Sequence, residues 1–86
     1  MREGCVDCVK KHLGQAAVLI MEYNQGYKNY EYLIIGHLAE AAEEIFEINQ
    51  SLANDIRQGR LLWMSDKGYK IPFETIIWQL DNGNGN

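Results

Sequence analysis

Apolar residues near the start of the chain recur at steps of three and four: Val9, Leu13, Ala16, Ile20 and Tyr23. That rhythm puts one stripe along one side of a helix and predicts an amphipathic α-helix from about Val6 to Asn24. Gly14 lowers its intrinsic stability by roughly 1 kcal/mol against alanine and would allow a close helix contact. Gln25-Gly26-Tyr27-Lys28-Asn29 reads as a turn, with Gly26 a natural helix stop. The same period returns from about Tyr30 to Gln50 as Ile34, Leu38, Ala41, Ile45, Ile48 and Leu52. Ser51 is placed to cap a third helix, Leu52 to about Ser65, carrying Ile56, Leu62 and Trp63. Helices two and three could equally run on as one.

Ser65-Asp66-Lys67-Gly68 is a second turn. Ile71-Pro72 then opens a short fourth helix, with proline where a helix tolerates it, and Phe73, Ile76, Ile77 and Leu80 form its inner face. The β-branched and aromatic residues between Tyr69 and Trp78 would also suit a strand, but the 73/76/77/80 spacing has the helical period. Met1 to Gly4 is a short leader, and Asp81 to Asn86 a floppy polar tail. The expected fold class is therefore all-α: an antiparallel helical hairpin plus two shorter helices, in a single domain over residues 1–86. No internal repeat or linker divides it.

Size and charge narrow the possible roles. At 86 residues the domain is near the lower limit at which one apolar core folds unaided, so an additional clamp is expected. The formal net charge is −4, and the eight cations are scattered from Arg2 to Lys70. That balance repels phosphate backbones and excludes nucleic acid as a default partner. The longest apolar run, Ala16 to Met21, falls far short of the roughly 20 residues that cross a bilayer, and no basic amphipathic stretch suits a membrane surface. Nothing near Met1 reads as a secretory leader. The expected compartment is cytoplasmic and reducing.

Two cysteines in such a compartment point to metal or redox chemistry before a structural disulfide. Cys5-Val6-Asp7-Cys8-Val9-Lys10-Lys11-His12 has the spacing Cys-x2-Cys-x3-His. Cys8 and His12 stand four apart on one helical face, and Cys5 is about a turn away at the helix start. Helix dipole and free backbone N–H groups there favour thiolates. Two thiolates and an imidazole are three of the four ligands of tetrahedral zinc. His37, on the core-facing side of helix two and about one turn or less from the level of His12, is the expected fourth, with Glu40 in reserve. Such a structural Zn2+ would tie helix one to helix two and contribute folding free energy. Four protein ligands leave no position for a reacting water. A redox dithiol, which would need a thioredoxin-like βαβ context, is the competing reading. Thiol oxidation that releases the metal is a third.

Glu40, Glu43, Glu44 and Glu47 contain Glu-Glu-x-x-Glu, which looks like the first motif of the all-α MazG-type nucleotide pyrophosphohydrolases. That resemblance implies magnesium held by helix carboxylates. The family's second motif, Glu-x-x-Asp on a later helix, is absent after Glu47, so the acidic run reads foremost as a solvated helix face. Paired Glu-x-x-His motifs of a ferritin-like dimetal site are missing as well.

Tyr23, Tyr27, Tyr30 and Tyr32 crowd one end of the hairpin, and four short helices cannot bury every ring. Exposed Tyr and Trp favour protein contacts. Trp63 and Trp78 either join that surface or close the core between helices three and four. Finally, Cys5 to Leu13, together with Gly36-His37-Leu38-Ala39-Glu40-Ala41, resembles a group of small phage and bacterial helical proteins. The resemblance covers helices one and two and extends faintly to Ile71-Pro72-Phe73. It implies a shared metal site and a phage or bacterial source, and no activity. The expected function is a non-enzymatic, zinc-stapled interaction or assembly component, in the phage case a virion protein, with a protein partner or a second copy of itself. The alternative is a MazG-like magnesium-dependent hydrolase.

Overall fold

Cys5 leaves the extended region at φ −128°, ψ 106°, and its sulfur accepts a hydrogen bond from the Cys8 backbone N–H at 3.1 Å. This caps the first helix, α1 (Val6–Asn24). Here the computed structural model, which describes residues 5–82, agrees closely with the spacing of the apolar stripe. At its other end α1 stops in a Schellman turn. The N–H of Gly26 donates to the Tyr23 carbonyl at 3.0 Å and that of Tyr27 to the Glu22 carbonyl at 3.1 Å. Gly26 makes this possible by taking φ +124°, which L side chains rarely adopt.

A short 3-10 turn, Lys28–Tyr30, leads into α2 (Glu31–Phe46), followed by α3 (Gln50–Ser65) and α4 (Phe73–Asn82). No strand occurs among the described residues, so the segment around Tyr69–Trp78 resolves in favour of a helix. No helix among them is long and apolar enough to cross a membrane. The expected leader, 1–4, and the end of the expected tail, 83–86, lie outside the described residues.

The second expected helix is shorter than its apolar period. The N–H groups of Ile48 and Asn49 both turn back to the Ile45 carbonyl, at 2.9 and 2.8 Å, and end α2. Asn49 then goes extended, and its Oδ1 accepts the Leu52 N–H at 3.0 Å. Asn49 rather than Ser51 is thus the cap of α3, and helices two and three are separate. With 16 residues each, α2 and α3 are equally long, so only α4 is shorter. Pro72 precedes α4, its carbonyl accepting the Ile76 N–H at 3.1 Å. Asp81 and Asn82, expected in the tail, complete α4, and Asp81 pairs with Lys10 of α1 at 2.8 Å.

One apolar cluster joins the elements. Val9, Leu13 and Ala16 of α1 and Ile34, Leu38, Ala41 and Ile45 of α2 are fully buried. α3 adds Leu52, Ala53, Ile56 and Trp63 to the same cluster, and α4 adds Ile76 and Leu80. α2 packs against both α1 and α3, while α4 lies on α1. The edge of the Tyr23 ring meets Trp63 with centroids 5.3 Å apart and planes at 70°, a favourable aromatic geometry. The tryptophans divide the two expectations between them: Trp63 is wholly buried and Trp78 is 61 % exposed. Ile48, placed on the inner stripe by its spacing, falls in the break between helices and is exposed. The close contact expected at Gly14 is absent too, because a Cβ built there meets nothing within 4 Å.

Trp63→Ala is expected to cost about 3–5 kcal/mol of stability, and Trp78→Ala to stay within about 0.5 kcal/mol. Urea unfolding of the two variants, followed by circular dichroism, checks the contrast.

Candidate functional site

The first turns of α1 carry Cys5, Cys8 and His12 on neighbouring levels. Cys5 and Cys8 are half-buried and paired sulfur to sulfur as a disulfide, with Cα atoms 5.2 Å apart. His12 follows Cys8 by four residues, one helical turn and about 6 Å along the axis. It points across the seam to α2. There its Nδ1 lies 3.0 Å from the Nδ1 of His37, with ring centroids 5.2 Å apart and planes inclined by 39°. His37 gains this position from its neighbours: Ile34, Leu38 and Ala41 are buried, so the side of α2 that carries residue 37 meets α1.

The expected ligands are thus brought together in twos, Cys5 with Cys8 and His12 with His37. Among the described residues, no group of three or more His, Cys, Asp or Glu side chains is arranged to hold a metal ion. The reserve ligand Glu40 is exposed. With His12, Tyr32, Leu33, Gly36 and His37 it lines a shallow depression beside the imidazoles.

Burial pushes the pKa of His37 below its ordinary value of 6.5. The facing His12 acts in the same direction, and Glu40 opposes both. The neutral ring is therefore favoured, and neutral imidazole is the form that donates a lone pair to a metal. At 3.0 Å one ring N–H can donate to the nitrogen of the other ring, the tautomers setting which is donor. At the start of α1, Asp7 complements the helix dipole.

The glutamates of α2 do not share one face. Glu40, Glu43 and Glu47 are exposed, as expected for a solvated acidic surface, but Glu44 is only 7 % exposed. Its position three residues after Ala41 and one before Ile45 puts it at the edge of the inner stripe. A charged residue type concealed that placement.

Spacing alone did not reveal a second feature, a groove along the outer seam of α1 and α2 that runs up to the imidazoles. Lys11, Gly14, Gln15, Val18, Leu19, Leu33 and His37 line it. Val18 and Leu33 are more than half exposed, as are Met21 and Tyr32 on the same two helices. The available signal was the apolar character of these residues off the main stripe. Of the crowded tyrosines, Tyr23 is buried while Tyr27, itself exposed, stacks on Tyr30 with centroids 5.8 Å apart.

Comparison with family models, with curated proteins and with solved structures found no match.

The depressed value of His37 carries a pH dependence with a definite sign. Below about pH 6.5 the unfolded chain takes up a proton that the folded chain resists, so stability falls as pH drops through that window and levels off above it. In chelator-treated protein, His37→Gln is expected to flatten this slope. Thermal melts between about pH 5 and 8, with an NMR titration of the His37 ring, provide the check.

Proposed function

We propose that this chain is a zinc-stapled protein-interaction or assembly domain, with Cys5, Cys8, His12 and His37 holding one structural Zn2+ across an antiparallel hairpin of α1 and α2. The observation that carries the reading is the meeting of His12 and His37, Nδ1 to Nδ1 at 3.0 Å. Nitrogens that share a tetrahedral zinc at ~2.0–2.1 Å stand roughly 3.3 Å apart, so two imidazoles from different helices are already near ligand spacing. The Cys8 N–H to the Cys5 sulfur is the kind of bond that stabilises a thiolate at a helix start. Cys8 lies one turn from His12 on the same helix.

A four-ligand site has no free position for substrate and acts as a clamp. Its location supports that role: an ion there joins the first turns of α1 to the middle of α2, in a domain whose core is small. The interaction part of the reading rests on the apolar outer seam. Val18, Met21, Tyr32 and Leu33 are large side chains exposed on two adjacent helices, a surface suited to a protein partner or a second copy of the chain.

Reduced protein purified without chelator is expected to carry one zinc per chain by elemental analysis. Cobalt substitution should give the visible bands of a tetrahedral ion with thiolate charge transfer. Cys8→Ser and His37→Ala should each lose the metal and lower the melting temperature to that of the chelated wild type. Metal-free reduced protein that melts identically with and without added zinc would overturn the assignment. For the docking surface, Leu33→Glu is expected to weaken self-association or partner binding in sedimentation experiments without changing zinc content.

A further inference from the structure

We propose that the outer seam of α1 and α2 takes a second copy of this chain, packed antiparallel about a two-fold axis that passes between Gln15 and Val18. This docking rests on the interaction part of the reading above and not on its metal. Lys11, Gln15, Val18 and Glu22 stand at steps of four, three and four, so they share one stripe on the outside of α1. Lys11 is exposed, Val18 is more than half exposed, and so is Leu33 across the seam on α2. Between the two helices runs a groove of about 700 Å³, with Val18, Leu19 and Leu33 as its apolar lining.

A chain with a net charge of −4 repels its own copies, so a face for self-association must balance its own charge. This stripe does so. Its spacing reads the same in both directions: turned end for end, position 11 falls on 22 and 15 on 18. In an antiparallel pair Lys11 therefore meets Glu22 of the second copy, Glu22 meets the other Lys11, and Gln15 and Val18 face each other at the centre. Neither Lys11 nor Glu22 has an ion-pair partner among the described residues. A parallel pair would instead set lysine against lysine and glutamate against glutamate, which disfavours that register.

Gly14 fits the same picture. Glycine weakens a helix interior, and a Cβ built at 14 meets nothing within 4 Å in this chain. On a face that contacts another helix, so small a residue lets the second backbone come close. The area is sufficient as well. With 19 and 16 residues, α1 and α2 are on average about 26 Å long, and two packed helices are about 20 Å across. Such a face covers about 520 Å² on each copy and about 1,000 Å² in all, the lower limit for a specific interface. That size, with two charge pairs at its ends, suits a dimer of micromolar Kd.

Sedimentation equilibrium of the full chain between about 1 and 500 µM, a range that brackets such a Kd, tests the pairing. The mass is expected to rise from the 9.9 kDa of one chain toward twice that value. Val18→Glu should hold it at one chain. Lys11→Glu and Glu22→Lys should each weaken dimerisation by roughly tenfold, because each sets like charges against one another at both ends of the stripe. An equimolar mixture of these two variants should recover wild-type dimerisation, since in the mixed pair both 11–22 contacts are again of opposite sign. Circular dichroism melts check that the variants stay folded. Zinc content is read on the same samples, so a dimer without zinc or a monomer with zinc tells this pairing apart from the metal assignment. A wild type that remains a monomer at the highest concentration overturns the second copy and leaves the seam to a different protein. Dimers indifferent to Val18→Glu, or to both charge reversals, overturn this face and its register.

Discussion

Val9, Leu13 and Ala16 bury against the inner side of α2, where Ile34, Leu38 and Ala41 are equally closed to solvent. This seam fixes the rotation of both helices at once. With leucines at 13 and 38 inside, His12 and His37, each next in sequence to one of them, are held at the rim of the contact and toward each other. The imidazole pair is thus a by-product of ordinary apolar packing. Any chemistry at the site inherits its geometry from the core beneath it.

α2 has the more demanding position. It faces α1 on one side and α3 on another, so its buried set is wider than that of a hairpin helix alone and takes in Ala42 and Glu44. Small residues at 41 and 42 let two neighbours approach. The cost is a carboxylate inside the protein, where it must be provided with polar contact. The acidic run on α2 is therefore two things in one stretch: three solvated charges, and one charge belonging to the interior.

The extent of α1, the existence and inner face of α4, the core residues of α1 and the placement of His37 were all legible in the sequence, because each follows from a helical period that repeats without interruption. The end of α2 was not. Ile48 and Leu52 continue the same spacing across a break, and periodicity does not record where backbone hydrogen bonds turn back on themselves. Asn49 and Ser51 are both good caps; the choice between them is made by which residue goes extended. The Cys-x2-Cys spacing suits a ligand pair and a disulfide equally, since both bring the sulfurs to one side of the same turn. What separates them is the redox state of the surroundings. The outer groove was hidden because exposure is a property of neighbours, and Val18 and Leu33 look no different in sequence from residues that pack.

The turn at Gly26 has a reach beyond the helix it ends. Six residues, 25–30, link Asn24 to Glu31, and their hydrogen-bonded path sets where α2 begins and at what angle it sets out. Each residue of a helix advances the surface by about 100° and 1.5 Å. Lengthening this connection by one residue would force a choice: keep the leucine side of α2 inward and strain the link, or relax the link and swing the ring at 37 away from its counterpart. The connector therefore works as a ruler for the site, although none of its side chains belongs to it.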